Sequence, residues 1–200
     1  MNKIITITRQ YGSGGREIGQ KLAENIGAEF FDNKLLDIAA SQSGIHKSHF
    51  ENNDEKRPNS LLYLLSTTYG QGGVPFDDTV FFAQLNAIQK IASTQSCVII
   101  GRCADYALRD FEGVINIFIC APFELRVKRA VEVYGVAEKH AADYVKQLDK
   151  QRTSYYNYYT DKRWGLPSNY HLCLDSSALG IDGSAFLLKQ FVDDFYKKSE

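Results

Sequence analysis

Thr6-Ile7-Thr8-Arg9-Gln10-Tyr11-Gly12-Ser13-Gly14-Gly15-Arg16-Glu17-Ile18-Gly19 is the stretch on which the reading of this chain turns. The apolar residues Ile4, Ile5 and Ile7 lead into a Gly-Ser-Gly-Gly turn, and Ile18, Leu22 and Ile26 then recur at helical spacing on one face. Strand, glycine turn and helix in that order gather backbone N–H groups and a helix N-terminus around one point, which suits an anion. The phosphate-loop pattern G-x-x-x-x-G-K-[ST] can be laid over the turn with Gly14 as its second glycine. The overlay puts Arg9 at the first glycine, Gly15 at the lysine, and Arg16 at the hydroxyl that binds Mg²⁺. The backbone pattern fits while three side chains depart from it.

Working outward, apolar runs read as buried strands at 3–8, 28–31, 97–101, 114–120 and 170–174, separated by helical patterns at 15–26, 34–42, 77–93, 122–134, 137–155 and 181–197. Strands alternating with helices predict an α/β fold, a doubly wound parallel sheet of about five strands with helices on both faces. Ligands in such sheets sit beyond the carboxyl ends of the strands. The polar stretch 43–60 predicts an exposed loop or a partly ordered lid, and the glycine-rich stretch 69–75 a hinge between helices rather than a second phosphate loop, since no strand leads into it.

Composition bounds the function. Two hundred residues, 44% hydrophobic and 24% charged, predict one soluble globular domain over 1–200. With 23 basic and 24 acidic residues the net charge is −1, which argues against nucleic acid as a partner. No apolar run is long enough to span a membrane, and the first residues enter a strand pattern with no leader layout. Cys97, Cys103, Cys120 and Cys173 lack C-x-x-C spacing and read as reduced thiols, so a cytoplasmic location is expected.

The residues after each strand are the site candidates. Asp32 follows the second strand, either as a helix N-cap or as a cleft acid. Arg102 follows Gly101 after the third; its planar fork matches a phosphate, with a structural salt bridge as the other reading. Arg126 and Arg129, three apart on the helix after the fourth strand, share one face and read as surface or site. Asp149 and Arg152 are spaced as an intrahelical pair. The tyrosines that follow, 155, 156, 158 and 159, are either a base-stacking surface or anchors of a helix end. His46 and His49 have no third ligand that would make a metal site.

This ordered set resembles the nucleoside monophosphate kinases of the P-loop superfamily, and within them a cytidylate kinase-like family. The likeness spans nearly the whole chain. It rests on Gly12-Ser13-Gly14, Phe31-Asp32, Gly101-Arg102, the run from Ala121 to Arg129, Asp149-Lys150-Gln151-Arg152, and Leu174-Asp175-Ser176-Ser177. The resemblance implies ATP and Mg²⁺ as cofactors and a nucleoside monophosphate, CMP- or dCMP-like, as acceptor. Gly12, Ser13, Gly14, Gly15 and Arg16 would cradle the donor phosphates. Asp32, Arg102, Asp105, Arg126, Arg129 and Asp149 would serve the acceptor. Arg152 would reach the transferred phosphate from a lid-like segment, 137–167, facing a helical acceptor region, 33–95. Cys103 stands where the family's Gly-Arg-Asp has its acid, with Asp105 two further on, and Val145 replaces a family arginine.

Without the lysine, charge on the phosphates must be cancelled by Arg16 or Arg9, and Ser13 is the nearest hydroxyl for a metal. Arg16 starts about 100° round the helix from the lysine position. The leading reading is a small-molecule phosphotransferase acting on nucleotides as monomer or homodimer, and the second a non-catalytic nucleotide or phospho-ligand binder on the same fold; a kinase for a non-nucleotide metabolite and a fold used only for interactions also stay open.

Overall fold

The architecture comes from a computed structural model and is described for residues 2–56 and 76–198. Strands β1 (Ile4–Arg9), β2 (Glu29–Phe31), β3 (Cys97–Ile100), β4 (Val114–Cys120) and β5 (Leu172–Asp175) form one parallel sheet in the order β2-β3-β1-β4-β5. β1 lies at the centre, with Ile4 in register with Cys97 on one side and Val114 on the other.

Side chains of a strand alternate between faces, so each central strand feeds two cores. Ile5 and Ile7 join Val98 and Ile100 beneath α1 (Gly15–Ile26) and a C-terminal helix, Gly180–Lys197. On the other face Ile4, Cys97 and Ile99 pack with residues of α2 (Lys34–Ser43), α3 (Lys47–Asn53) and α4 (Phe76–Thr94). Among the described residues the other helices are α5 (Ala104–Ala107), α6 (Phe123–Glu132), α7 (Glu138–Thr160) and the one over Gly180–Lys197, α8. α1 occupies the residues its periodicity predicts and stops at Gly27, whose φ of 66° lets its N–H turn back to the carbonyls of Ala23 and Glu24. α8 is tied to the sheet by Tyr196: its hydroxyl accepts the N–H of Ile4 at 2.7 Å and donates to the carbonyl of Gly113 at 2.6 Å.

The described part of the polar stretch, 43–56, departs from a reading as an exposed loop. Residues 47–53 form α3, because Phe50 is buried completely in the core and His46 caps the helix by accepting the Ser48 N–H. One aromatic anchor holds a helix that periodicity does not announce. The glycine-rich stretch 69–75 lies outside the described residues. α5 and a 3₁₀ turn at Pro167–Asn169 are also additions to the predicted elements.

α7 runs on to Thr160, and its tyrosines anchor it: Tyr155 and Tyr156 are buried, and Tyr159 stacks on Phe81 with ring centroids 3.7 Å apart. Cys97 and Cys103 are buried while Cys173 is exposed, and all four thiols are free. Among the described residues no helix is long and apolar enough to cross a membrane.

Candidate functional site: a glycine turn beside an arginine cluster

The turn between β1 and α1 is built around close approaches. A β-carbon on Gly12, whose φ is 79°, would lie 2.5 Å from the backbone oxygen of Arg126. Gly14 caps α1 in the left-handed region without any side-chain cap, and the first backbone bond into the helix is Ile18 N–H to Gly14 O at 2.9 Å. The N–H groups at the start of α1 therefore lack intrahelical acceptors and are available to an anion. Above them lies a cavity of about 280 Å³, lined by Gly12, Gly14, Gly15, Arg9, Arg16 and Arg152 among others.

The turn is clamped from behind. The Asp149 carboxylate accepts the Tyr11 N–H at 2.8 Å and a bond from Arg126 Nη1 at 2.5 Å. Arg126 also donates to the carbonyls of Tyr11 at 3.2 Å and Ala121 at 3.0 Å. Ser176 donates to the carbonyl of Ser13 at 2.6 Å. The hydroxyl of Ser13 itself is buried and donates to the Gln10 carbonyl at 2.8 Å. That hydroxyl serves the turn.

On the other side of Arg9 the end of β3 presents a second cluster. Gly101, Arg102 and Cys103 follow one another with φ values of 67°, 53° and 54°. A side chain at Gly101 would run into the Arg9–Glu55 ion pair and displace its ends. The Arg102 guanidinium is buried and each of its nitrogens is engaged. Nε and Nη2 donate to the two Asp54 oxygens at 2.8 and 2.9 Å, Nη2 also to Asn33 at 3.2 Å, and Nη1 to Asp32 at 3.2 Å and Ile100 O at 3.3 Å.

Glu55 sits between Arg9 Nη1 at 2.5 Å and Arg152 Nε at 3.0 Å, and also accepts the Arg102 N–H at 3.2 Å. Arg16 Nε meets the other Asp32 oxygen at 2.7 Å. Asp32 thus divides its carboxylate between two arginines and does not cap α2, which has no side-chain cap at Asn33.

Burial raises the Asp54 carboxyl above its usual value, whereas at Glu55 and Asp32 the neighbouring charges prevail. Burial opposes ionisation of Glu55, but Arg9, Arg152 and Arg102 outweigh it and hold the carboxyl well below the usual range. The same contest ends the same way at Asp32, where Arg102 and Arg16 prevail over burial. Arg9 is pulled below the usual arginine value, first by burial and then by the neighbouring Arg152 charge.

The structure brings Arg9, Arg16, Arg102, Arg152 and Asp32 together around the cleft. Arg126 and Asp149 lie under the turn. Arg129 stands beside it, 3.1 Å from Glu17 and bonded to Tyr134. Asp105 is turned inward: Oδ2 accepts from Tyr156 at 2.6 Å, Oδ1 is buried without a partner among the described residues, and burial pushes its carboxyl up. It shares no ion pair with the arginine cluster. Sequence reasoning missed Asp54 and Glu55; the one available signal was Phe50, an isolated apolar residue a helical turn before them.

The cleft suits a phosphorylated anion: N–H donors, a glycine surface and arginines. Among the described residues no three acidic, histidine or cysteine side chains converge as metal ligands. Mg²⁺ would be held chiefly by nucleotide phosphates, as is common for this ion.

A family model described as the cytidylate kinase-like family matches residues 4–178. A comparison with curated proteins found no match. Among solved structures, an uncharacterized protein from Eubacterium ventriosum ATCC 27560 is 29% identical with a TM-score of 0.72, over 95% of this chain and 98% of that one. Shikimate kinase from Bacteroides thetaiotaomicron is 16% identical with a TM-score of 0.53, over 94% of this chain and 97% of its own. A gluconokinase from Sinorhizobium meliloti 1021 is 14% identical with a TM-score of 0.53, over 100% of both chains. The two kinases share the fold of this chain, a parallel sheet flanked by helices.

Proposed function

The chain belongs to the cytidylate kinase-like family, and from that premise we propose that it is a phosphotransferase using ATP and Mg²⁺ to phosphorylate a nucleoside monophosphate, CMP- or dCMP-like. One observation carries the reading. Arg9 and Arg152 line both the cavity over the glycine turn and a narrow crevice on the far side, where Arg102 and Gly101 lie. Two cations shared by a donor cavity and a second compartment stand where a phosphoryl group would pass between them.

Phosphoryl transfer needs positioning and charge cancellation more than covalent help from the protein. Backbone N–H groups of Gly14, Gly15 and Arg16 hold the donor phosphates while the Ser13 N–H is kept by the Gln10 carbonyl at 3.3 Å, and Arg16, half exposed and steadied by Asp32, supplies the cation the lysine would bring. Arg9 and Arg152 neutralise the group in transit. Arg102 and Asp32 face the acceptor, and Arg129 flanks the donor phosphates. Arg126 and Asp149 are positioning residues that keep the turn in shape, and Asp105 positions Tyr156. Bound ATP supplies the phosphoryl group, with ADP as the leaving product. A cytoplasmic location agrees with the free thiols.

The second reading, a non-catalytic phospho-ligand binder, is favoured by one observation. The lysine position is closed at Gly15, where a β-carbon would lie 2.6 Å from Arg9 Cβ. A coupled ADP-release assay over a panel of nucleoside monophosphates, with calorimetry of ATP binding, separates the two. Release stimulated by a pyrimidine monophosphate is expected. ATP binding with no stimulated release from any monophosphate would establish the binder.

A further inference from the structure

The cleft contains two carboxylates that the proposed chemistry does not use. Asp54 and Glu55 follow the last turn of α3, and both point into arginines. Asp54 meets Arg102 fork to fork, Nε to Oδ1 at 2.8 Å and Nη2 to Oδ2 at 2.9 Å, the geometry in which a guanidinium grips a carboxylate or phosphate ligand. Glu55 takes one bond each from Arg9, Arg152 and the Arg102 N–H. Three arginines of the cleft are thus engaged by the chain itself.

Space tells the same story. The crevice bounded by Arg9, Glu55, Arg102 and Arg152 has a volume of about 10 Å³, room for roughly one water. Small-molecule pockets run to roughly 300–1,000 Å³, and the donor side keeps about 280 Å³. The compartment that would receive an acceptor phosphate is closed, and Glu55 is among the residues that close it. Glu55 also holds a φ of 50°, a left-handed conformation that residues with side chains seldom adopt. Its bonds to the arginines hold it there.

We infer that Asp54 and Glu55 form an internal pseudosubstrate: their carboxylates occupy the places of an acceptor's phosphate oxygens on Arg102, Arg9 and Arg152, and an incoming phosphate must displace them. The inference rests on reading this compartment as the acceptor side. A phosphate monoester carries a charge of about −1.5 to −2 against −1 for a carboxylate, so it can displace Glu55 from the two arginines once present. Acceptor affinity is then set by competition with the chain's own segment, while the donor cavity stays open throughout.

The test titrates the full chain with inorganic phosphate at fixed ionic strength, by calorimetry and by ³¹P line broadening, for the wild type, Glu55→Gln and Asp54→Asn. Like charges brought together weaken binding strongly, so Glu55→Gln should bind phosphate roughly tenfold more tightly or better. Asp54→Asn should move the same way by a smaller factor. Asp54 is the more exposed of the two, which keeps the second variant informative if the first folds poorly. Phosphate affinity equal to or weaker than the wild type in a folded variant would overturn the inference. No turnover is needed for this readout. Tighter phosphate binding without ADP release from any acceptor would keep the pseudosubstrate and remove the kinase. ADP release with unchanged phosphate affinity and unchanged acceptor KM in Glu55→Gln would do the reverse.

Discussion

Gly15 stands so close to Arg9 that a β-carbon built on it lies 2.6 Å from the arginine Cβ and 3.3 Å from the Cβ of Ile119. This is where the common phosphate-loop pattern carries its lysine. The volume that a lysine stem would need there is taken by Arg9.

Restoring the pattern should therefore fail. Gly15→Ala is expected to cost about 1–3 kcal/mol from overpacking, read by urea unfolding. The double variant Gly15→Lys with Arg16→Ser should show no gain in ADP release. A gain would mean that Arg9 can vacate the position and that the loop follows the usual path.

The two candidate cations should separate by what else they do. The Arg16 side chain is 55% exposed and shares Asp32 with Arg102. Its loss should leave stability within about 1 kcal/mol, while turnover falls by ~10³–10⁵, the range for a cation that meets transition-state charge. Arg9→Ala removes one partner of a buried pair with Glu55 and should cost about 3–5 kcal/mol. Parallel unfolding and steady-state measurements on the two variants check the contrast. Arg16→Ala turnover near the wild type would move the catalytic role to Arg9.

A third contrast concerns the clamp under the turn. Asp149→Ala leaves Arg126 buried without its carboxylate and frees the Tyr11 N–H. A loss of about 3–5 kcal/mol is expected, with ATP affinity falling alongside as the turn loosens. Arg129→Ala, on a quarter-exposed pair with Glu17, should weaken ATP binding while costing the fold no more than about 1 kcal/mol. Calorimetry beside thermal melting distinguishes them.

The Glu55 carboxyl gives a pH signature. Its native value lies well below the ordinary 4.5, so the unfolded chain takes up this proton first. The stability it contributes is fully present above about pH 5 and drains away as pH falls toward the native value. Asp105 has the opposite sign: burial raises it above its ordinary 3.8, so its contribution is full at low pH and is lost as pH rises. Urea unfolding from about pH 2 to pH 7 should show the wild type losing more stability on acidification than Glu55→Gln. Asp105→Asn should flatten the decline that Asp105 ionisation imposes as pH rises. Parallel curves for all three proteins would contradict both signs.

Much of the framework is legible in the sequence because it is local. Ile4, Ile5 and Ile7 announce a buried strand; Ile18 and Leu22 announce the helix; Gly12 and Gly14 mark the turn between them. Arg102 after a strand and glycine likewise points to the cleft. What stays hidden is pairing across distance. Asp54 and Glu55 read as part of a solvated polar run, and only the fold carries them to Arg102 and Arg9, 48 and 46 residues away. Asp149 looks like a partner for Arg152 three residues on, yet it reaches Tyr11 across 138 residues. Asp105 looks like a cleft acid, but the left-handed turn at Cys103 swings it into the interior beside Tyr156.

The ties that α8 and the end of β5 make with the first strand and turn bear on how the protein is made. Ile4 depends on the hydroxyl of Tyr196, the carbonyl of Ser13 on Ser176, and a side chain at Gly14 would meet Ile181. A ribosome delivers residues at about 5–20 per second, N-terminal end first. The glycine turn is synthesised well before Ser176 and α8 and acquires these supports only when both have emerged. Nascent chains stalled before residue 176 should be unable to capture nucleotide, and competence should arrive late and abruptly during translation.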